Sequence, residues 1–296
     1  MSSAELSASE LALVTNDKPV LVGANAIESA ATAKWLIVDD LAGADKTDST
    51  APVSRSYDRY LHLQTHPDTT SASTWYLSFD LGSSVIDWDC LLIAGHNFGT
   101  SGSVTVSLEV GTGSTFSSVT EVFSTTVATS DKRIFSLSLT DTATAKRWSG
   151  EQYVRLKMVK GSAFTPKIGE LWLGLRRHLP YKFDRELDDL RTGSEVVQFS
   201  SRSGVQTNYV LGRGRQARTG STLLDTSADF TKVQNFWSDT NQGTKPFLFC
   251  ENPGSSPADV QLMNQEPELS FPQVGPSSRL LQLEMREVSP YLALES

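Results

Sequence analysis

The sequence is poor in the residues that build metal, redox and membrane sites. It contains two cysteines and four histidines among 296 residues, and nowhere does it reach the roughly 18 consecutive apolar residues of a membrane-spanning helix. Cys90 and Cys250 lie in apolar, strand-like runs, which is typical of buried thiols in a reducing compartment. The first six residues have neither the positive region nor the apolar core of a secretion signal, so we expect a protein made in the cytoplasm.

Positive charge is also in short supply. The chain carries 26 lysines and arginines against 34 aspartates and glutamates, which gives a net charge of −8 and a pI near 5.1. Domains that bind nucleic acid without sequence preference are usually basic, so the excess of acidic residues argues against a general nucleic-acid-binding protein. The length allows one large or two ordinary domains, which can bury enough surface to fold without disulfides or metals.

Short strand patterns fill the N-terminal half of the chain. Apolar residues from Val104 to Val110 alternate with polar ones, which predicts a strand with one buried face. The almost uninterrupted apolar run from Trp88 to Ala94 is typical of a central strand. Further strand patterns occupy residues 35–38, 74–80, 134–139, 153–159 and 169–175. Short strands separated by turn signals predict an antiparallel β-sandwich or jelly roll.

The C-terminal half contains one clear helix pattern. Thr226 precedes it, with Asp229 three residues on, in an arrangement close to a capping box. Gly243 can take the left-handed conformation that ends a helix. One face of the helix carries the apolar residues Phe230, Val233, Phe236 and Trp237. Strand patterns at 196–199, 206–211, 244–250 and 280–288 surround this segment, so we predict an α+β domain.

The composition changes between residues 176 and 191, where arginines, a proline and a run of acids replace the strand pattern. We place a domain boundary there. The predicted organisation is an N-terminal arm at 1–18, a β-sandwich at 19–177, a linker at 178–192 and an α+β domain at 193–296. The predicted fold class is therefore mostly β, with an N-terminal antiparallel β-sandwich and a C-terminal α+β domain that has one main helix.

No pattern in the sequence predicts catalysis. Asp87 and Asp89 share one face of a strand start, and paired carboxylates can hydrolyse glycosides, but acids in such places are far more often simply solvent-side. His62 and His66 have i, i+4 spacing, yet a proline follows and nearby residues do not complete a ligand set. The histidines also lack the neighbouring Ser and Asp of a triad. We expect no catalytic, cofactor-binding or metal-binding residue.

The chain has one basic cluster, which lies at residues 212–218. A phosphate cradle there would need a helix to follow directly, and several residues intervene before the helix pattern at Thr226. Contact with passing DNA is one alternative. We prefer the interpretation that Arg213, Arg215 and Arg218 cross a subunit interface and pair with acids such as those at 184–189, because forked arginine pairs fix register.

Part of the N-terminal half resembles galactose-binding-like (discoidin-type) jelly rolls. In that family a Trp-initiated strand ends in Asp-Leu-Gly and leads into an apolar strand with a Gly-His-Asn turn. The similar segments here are 75–82, 85–97, 153–157 and 166–174. The resemblance implies the fold and says little about the ligand. His96 and Asn97 in the turn are candidate contacts for a glycan, or else hydrogen-bonded turn residues.

The C-terminal half resembles the tail-tip proteins of long-tailed bacteriophages, of the distal-tail type. That family has a strand with basic residues, a helix ending in aromatic residues, a Phe-rich strand and a last paired strand. The similar segments are 215–218, 226–237, 243–249 and 281–288. The resemblance implies a structural virion protein, made in a bacterial host and located at the tail tip.

The tail-tip resemblance also implies partners. Identical subunits would close a homo-oligomeric ring of six that joins the tail tube to hub and fibre proteins, with DNA only as passing cargo. Strands such as 280–288 would extend sheets across subunits. We place Trp237, Phe247 and Phe249 at the interface beside the arginines, and we expect no cofactor and no membrane span. The sandwich would face outward, for docking or for weak contact with host surface glycans.

Two functions from other classes remain open. The chain could be a carbohydrate-binding module or a host-receptor adhesin of the virion, which would act through the sandwich alone. It could also be a glycosidase that uses Asp87 or Asp89.

Overall fold

The chain is described here in a computed structural model. The structure describes residues 2–5, 18–37, 44–58, 63–68, 71–83, 86–99, 102–128, 133–136, 140–141, 144–181, 195–200, 206–212, 217–254, 260–265, 271–275 and 278–288. The contacts divide the chain into two units. The first includes residues 24–176, and the second combines 17–23 with 177–253 and 259–296.

The strands are numbered along the described chain. They are β1 (Ser2–Glu5), β2 (Val20–Val22), β3 (Thr32–Ile37), β4 (Ala72–Asp80), β5 (Cys90–Ala94), β6 (Val104–Gly111), β7 (Val119–Val127), β8 (Arg133–Ser136), β9 (Thr140–Asp141), β10 (Thr144–Ser149), β11 (Tyr153–Phe164), β12 (Glu170–Gly174), β13 (Arg177–His178), β14 (Glu195–Ser200), β15 (Gln206–Gly212), β16 (Ala217–Leu224), β17 (Phe247–Cys250), β18 (Gln261–Gln265) and β19 (Arg279–Glu287). Helix α1 spans Ser227–Asp239, and short 3₁₀ turns occupy Ala26–Ser29 and Val53–Ser56.

The first unit is an antiparallel β-sandwich. Its larger sheet has the strand order β3-β4-β11-β6-β7, its smaller sheet has the order β12-β5-β8, and a short third sheet has the order β1-β10-β9. Strand β6 buries the apolar residues from Val104 to Val110, as the alternation predicts. Strands β5 and β12 are buried along their whole length; β5 is continuously apolar, and β12 is apolar after the buried Glu170.

Tryptophans dominate the core of the sandwich. Trp35 and Trp75 meet edge to face with ring centroids 6.3 Å apart, whereas Trp88 and Trp148 stack at 5.8 Å. All four are 0% exposed. A pair of aromatic rings adds roughly 0.5–1.5 kcal/mol to the stabilisation that comes from burial alone.

The second unit is built on a six-stranded sheet with the order β13-β2-β17-β18-β19-β16. Strand β2 pairs with β17 and β13, so residues 20–22 lie in this sheet, although the sequence prediction assigned them to the sandwich. Strands β14 and β15 form a separate hairpin.

Helix α1 covers an apolar face in the second unit. Thr226 caps it, because the Thr226 side chain accepts a hydrogen bond from the Asp229 amide at 3.1 Å. Phe236 packs edge to face on Phe247, with ring centroids 4.9 Å apart. Gly243 has φ +78° in the turn that follows the helix, and this conformation favours glycine. Among the described residues, no helix has both the length and the apolar character needed to cross a membrane.

The fold class predicted from the sequence is confirmed: the chain is mostly β, with an antiparallel sandwich and an α+β part around one main helix. The segment 280–288 was expected to extend a sheet across subunits. Within the described residues, β19 pairs with β16 from 279 to 286, and only 285–287 also pair with β18. Sheet extension across subunits stays a prediction. Within the described sheet, the edge strands are β13 and β16.

Candidate functional site

A shallow groove lies on the outer face of the sandwich, at the end of the five-stranded sheet where β4 ends and β11 begins. Its volume is about 90 Å³. Pockets that enclose a small molecule usually measure roughly 300–1,000 Å³, so this groove suits the edge of a ligand that stays mostly in solvent. The lining residues are Thr32, Lys34, Ser78, Phe79, Asp80, Ser114, Phe116 and Tyr153.

The sheet register explains why these side chains lie together. Lys34 is paired with Ser78, and Ser78 is paired with Arg155. Arg155 is in turn paired with Glu109 on β6. Side chains of directly paired residues point to the same face, so the four form a row across the sheet. Their chain neighbours, such as Leu77 and Leu156, point the other way into the core.

Arg155 is the enclosed cation of this row. Its side chain is 6% exposed, and its Nε atom donates to Glu109 Oε2 at 2.6 Å. The guanidinium carbon lies 4.3 Å from the centroid of the Tyr76 ring and 4.7 Å from that of the Phe116 ring. The cation is therefore held by a charge-assisted hydrogen bond and by two aromatic faces.

Phe116 closes one side of the groove. It belongs to the β6–β7 turn and has φ +51°, a left-handed conformation that is costly for a bulky residue. The ring lies over Gly111, where an added Cβ would meet Phe116 Cδ1 at 2.6 Å. It also contacts Tyr153 edge to face, with centroids 6.5 Å apart. A side chain at position 111 would therefore displace this aromatic wall.

Asp80 forms the acidic side of the groove. Its Oδ1 atom accepts hydrogen bonds from the Gly82 amide and from Gln152 Nε2, both at 2.9 Å. These bonds orient the carboxylate at the end of β4. Lys34, diagonally across from Asp80 in the register, supplies the opposite charge.

Asp89 does not lie on the solvent side, and this prediction was wrong. It is 0% exposed, and its Oδ2 atom lies 3.2 Å from Arg147 Nη2 and 3.3 Å from Arg176 Nε. Burial raises the pKa of Asp89, and the charges of Arg176 and Arg147 oppose that rise. A carboxylate so enclosed cannot reach a glycosidic bond, whereas Asp87 is only half-buried.

His96 and Asn97, the glycan contacts proposed from the sequence, lie away from the groove. His96 is 1% exposed and its ring stacks on Phe98 with centroids 4.4 Å apart. Asn97 Nδ2 donates to the Thr165 carbonyl and Asn97 Oδ1 accepts from the Lys167 amide, beyond the last residue of β11. The groove contains the first residue of β11, and the strand spans about 35 Å at roughly 3.3 Å per residue. Glycan contact at this turn stays a prediction.

The predicted interface residues lie in several settings. Arg213 and Arg215 lie outside the described residues, as do the acids at 184–189, and Arg218 is in β16 opposite Met285. Phe247 and Phe249 are 0% and 1% exposed, so their side chains belong to the core of the second unit.

Trp237 is half-buried and lines an open groove of about 360 Å³ near the C-terminal end of α1. The other lining residues are Gln234, Ser238, Asn241, Gln242 and Phe271. Its ring packs beside Gly243, where an added Cβ would lie 2.8 Å from the indole. The interface role of Trp237 stays a prediction.

Within the described part of the chain, no group of three or more His, Cys, Asp and Glu side chains lies close enough to hold a metal ion. His62 is outside that part, and His66 Nδ1 lies 3.8 Å from Asp48 Oδ2.

The groove was not found by the sequence analysis. Its residues come from three strands and one turn that are far apart in the chain, so only the pairing register joins them. One local signal was available: Tyr153 and Arg155 occupy alternate positions in a strand whose other face is apolar.

Comparisons with known proteins find only low similarity. No family model and no curated protein matches it. Among solved structures it is similar to CBM32 of AlyQ in complex with 4,5-unsaturated mannuronic acid, at 18% identity and a TM-score of 0.33, covering 49% of this chain and 94% of that one. CBM32-6 of a GH89 protein produced by Clostridium perfringens shows 13% identity and a TM-score of 0.31, covering 50% of this chain and 97% of that one.

A GH29 fucosidase of Ruminococcus gnavus in complex with fucose is similar over a smaller share of its own length. The identity is 13% and the TM-score 0.36, and the match covers 52% of this chain but 27% of the fucosidase chain. Each of these TM-scores is below 0.5. Nothing among these likenesses supports the tail-tip resemblance.

Proposed function

We propose that this protein is a non-catalytic glycan-binding protein, and that its β-sandwich binds the edge of a sugar in the groove at the end of the five-stranded sheet. The main support for this proposal is the set of residues that line the groove. A lysine, a carboxylate and hydroxyl groups stand beside the rings of Phe116 and Tyr153. Sugars present hydroxyl groups at their edges and C–H groups on their faces, so they need both kinds of partner.

The shape of the groove supports binding rather than turnover. It is open and holds only about 90 Å³, so a bound sugar would stay hydrated on one side. General acid–base catalysis on a glycoside needs two carboxyl groups on opposite sides of the scissile bond. Among the described residues that line the groove, Asp80 is the one carboxylate, and its Oδ1 atom accepts two hydrogen bonds.

The test is binding of the full chain to an array of neutral and acidic polysaccharides, followed by calorimetry with the best ligand. We expect Tyr153→Ala to weaken binding about tenfold, which corresponds to about 1.4 kcal/mol for the loss of one aromatic partner. Tyr181→Ala is the matched control, since Tyr181 is an exposed tyrosine of the other unit. Absence of any glycan binding, or equal binding by Tyr153→Ala and wild type, would refute the proposal.

A second candidate function is the structural tail-tip subunit that the sequence resemblance implies. It is favoured by the order of elements in the second unit, which runs strand β16, helix α1, strand β17 and final strand β19. Within the described sheet, β16 has a partner on one side only. An edge strand of this kind can accept a strand from a second copy.

Light scattering of the purified protein over a range of concentrations tests this candidate. A ring predicts a discrete mass near six subunits, and it predicts the protein in virions at the tail tip. A protein that stays monomeric at the highest concentration would exclude self-assembly through β16.

A further inference from the structure

We infer that the ligand of the groove is an acidic sugar whose carboxylate lies against the row formed by Lys34, Ser78 and Arg155. This inference rests on the proposed glycan-binding function and specifies the ligand class. It starts from hydrogen-bonding groups that the described residues leave without a partner.

Two buried polar atoms in this row have no hydrogen-bond partner among the described residues: Arg155 Nη1 and Ser78 Oγ. Both residues are 5% exposed. Buried polar groups of folded proteins are nearly always paired, so an unpaired guanidinium nitrogen beside an unpaired hydroxyl indicates a missing partner. Because Arg155 and Ser78 are paired neighbours on β11 and β4, one partner can serve both atoms.

The acids near Arg155 do not fill this place. Glu109 accepts from Arg155 Nε through Oε2, and its Oε1 atom lies 3.4 Å from Lys157 Nζ. Both oxygens of Glu109 are thereby engaged on the far side of Arg155 from Ser78. Asp80 Oδ1 accepts hydrogen bonds from the Gly82 amide and from Gln152 Nε2 just beyond the end of β4.

Lys34 completes the donor set at the open end of the row. It lines the groove and is paired with Ser78 in the register, opposite the side where Arg155 lies. A carboxylate has two oxygens that accept several hydrogen bonds, so it matches the ammonium of Lys34 and the hydroxyl of Ser78, which line the groove, with the guanidinium of Arg155 next to Ser78 in the register. A neutral hydroxyl group would satisfy only part of this set.

The aromatic wall explains why the anion should belong to a sugar. Phe116 and Tyr153 border the same groove and can pack against the C–H face of a pyranose ring. A free inorganic anion would not use these rings. The ligand class is therefore a carboxylated sugar unit, such as a uronate residue in a polysaccharide.

The experiment compares a polyuronate with its carboxyl-reduced form, which keeps the linkage and ring but replaces each carboxylate with an alcohol. Calorimetry on the full chain should show at least tenfold weaker binding of the reduced polymer. Binding of the polyuronate should weaken as salt rises, because salt screens the charges. Lys34→Gln should reduce both the affinity and the salt dependence, and Lys34→Arg should restore most of the affinity. Lys167→Gln is the matched control, because Lys167 is an exposed lysine outside the groove.

Each outcome decides between the two proposals. Equal binding of both polymers, sensitive to Tyr153→Ala, would overturn the acidic-sugar inference and leave the glycan-binding proposal standing. Binding of the polyuronate that Lys34→Gln and Lys167→Gln weaken equally would show a general charge effect and would overturn the inference too. Absence of binding to either polymer and to every other glycan would overturn both.

Discussion

The two units of the chain use charge in different ways. In the sandwich, Arg155 and Glu109 form an ion pair whose side chains are 6% and 5% exposed. In the second unit, Arg177 and Asp239 also form a close pair, at 2.7 Å, but their side chains are 17% and 25% exposed. The first pair lies on a sheet face under an aromatic ring, and the second stays in contact with water.

This difference agrees with the proposal that the buried pair belongs to a binding site. Taking two charges out of water costs free energy that their attraction often fails to repay, so an apolar pair would stabilise the sheet at least as well. The sandwich nevertheless keeps a cation beneath Phe116 and beside the groove. Under the proposed function Arg155 belongs to the ligand-binding row, whereas Arg177 pairs with Asp239 at a partly exposed position.

The largest expected effect is on the rate of thiol labelling at the two cysteines. Since one cysteine lies in each unit, labelling reports the opening of each unit separately. Cys90 in the sandwich is 0% exposed and Cys250 in the second unit is 1% exposed. Burial raises the pKa of the Cys90 thiol, and only the thiolate reacts quickly. We expect labelling of Cys90 to be slower than in the unfolded chain by roughly 5 × 10³, the factor that a stability near 5 kcal/mol implies.

Thiol labelling of the single-cysteine variants Cys90→Ala and Cys250→Ala, read by mass spectrometry, measures this protection in each unit. Equal rates at the two sites under all conditions would indicate that both units open together. Labelling at the rate of the unfolded chain would contradict the buried position of that cysteine.

A smaller effect is expected from breaking the buried ion pair. Arg155→Met removes the closer of two cations from the buried Glu109 and leaves Lys157 at 3.4 Å, which should lower the free energy of unfolding by about 3 kcal/mol, the lower end for a broken buried pair. Arg177→Met in the second unit should cost at most about 1 kcal/mol, because its pair is partly solvated. Denaturant unfolding of both variants provides the measurement.

The double variant Arg155→Met with Glu109→Leu distinguishes charge burial from lost packing. It should recover most of the stability that Arg155→Met loses. If the double variant is as unstable as the single one, the pair contributes through packing on Tyr76 and Phe116 instead.

The smallest expected effect is at the helix cap of the second unit. Thr226→Ala removes the side chain that accepts from the Asp229 amide, and it should cost about 1 kcal/mol. Ser227→Ala, one residue later, is the control and should change stability little, since Ser227 provides no cap. Thermal unfolding monitored by circular dichroism measures the stability of the two variants. Equal stability would contradict the cap assignment.

Local patterns predicted several elements, because these patterns depend on residues close in sequence, but they missed β7, β10 and β18. The alternation before Gly111 predicted β6. The capping pattern at Thr226 predicted α1 and its starting position. Pairing between distant segments was not predictable in this way. A three-residue run such as Val20–Val22 carries no sign of which sheet it joins, and it joins β17.

The site depended on non-local pairing even more strongly. Alternation places Arg155 on the outer face of β11, and that much follows from the sequence. Its burial comes from Phe116, which a tight turn after β6 folds back over Gly111. Asp89 was assigned to solvent for a related reason, since its two arginine partners lie far along the chain.

The pairing of β2 with β13 has a practical consequence for engineering. Leu21 stands opposite Arg177, so the chain leaves the six-stranded sheet and returns to it in the adjacent strand, at partners only about 5 Å apart. The residues between 24 and 176 therefore form an insertion between two adjacent antiparallel strands, β2 and β13. A tight two-residue turn could replace them, or a foreign module with similarly close ends could be grafted in, while the host sheet kept every one of its strands.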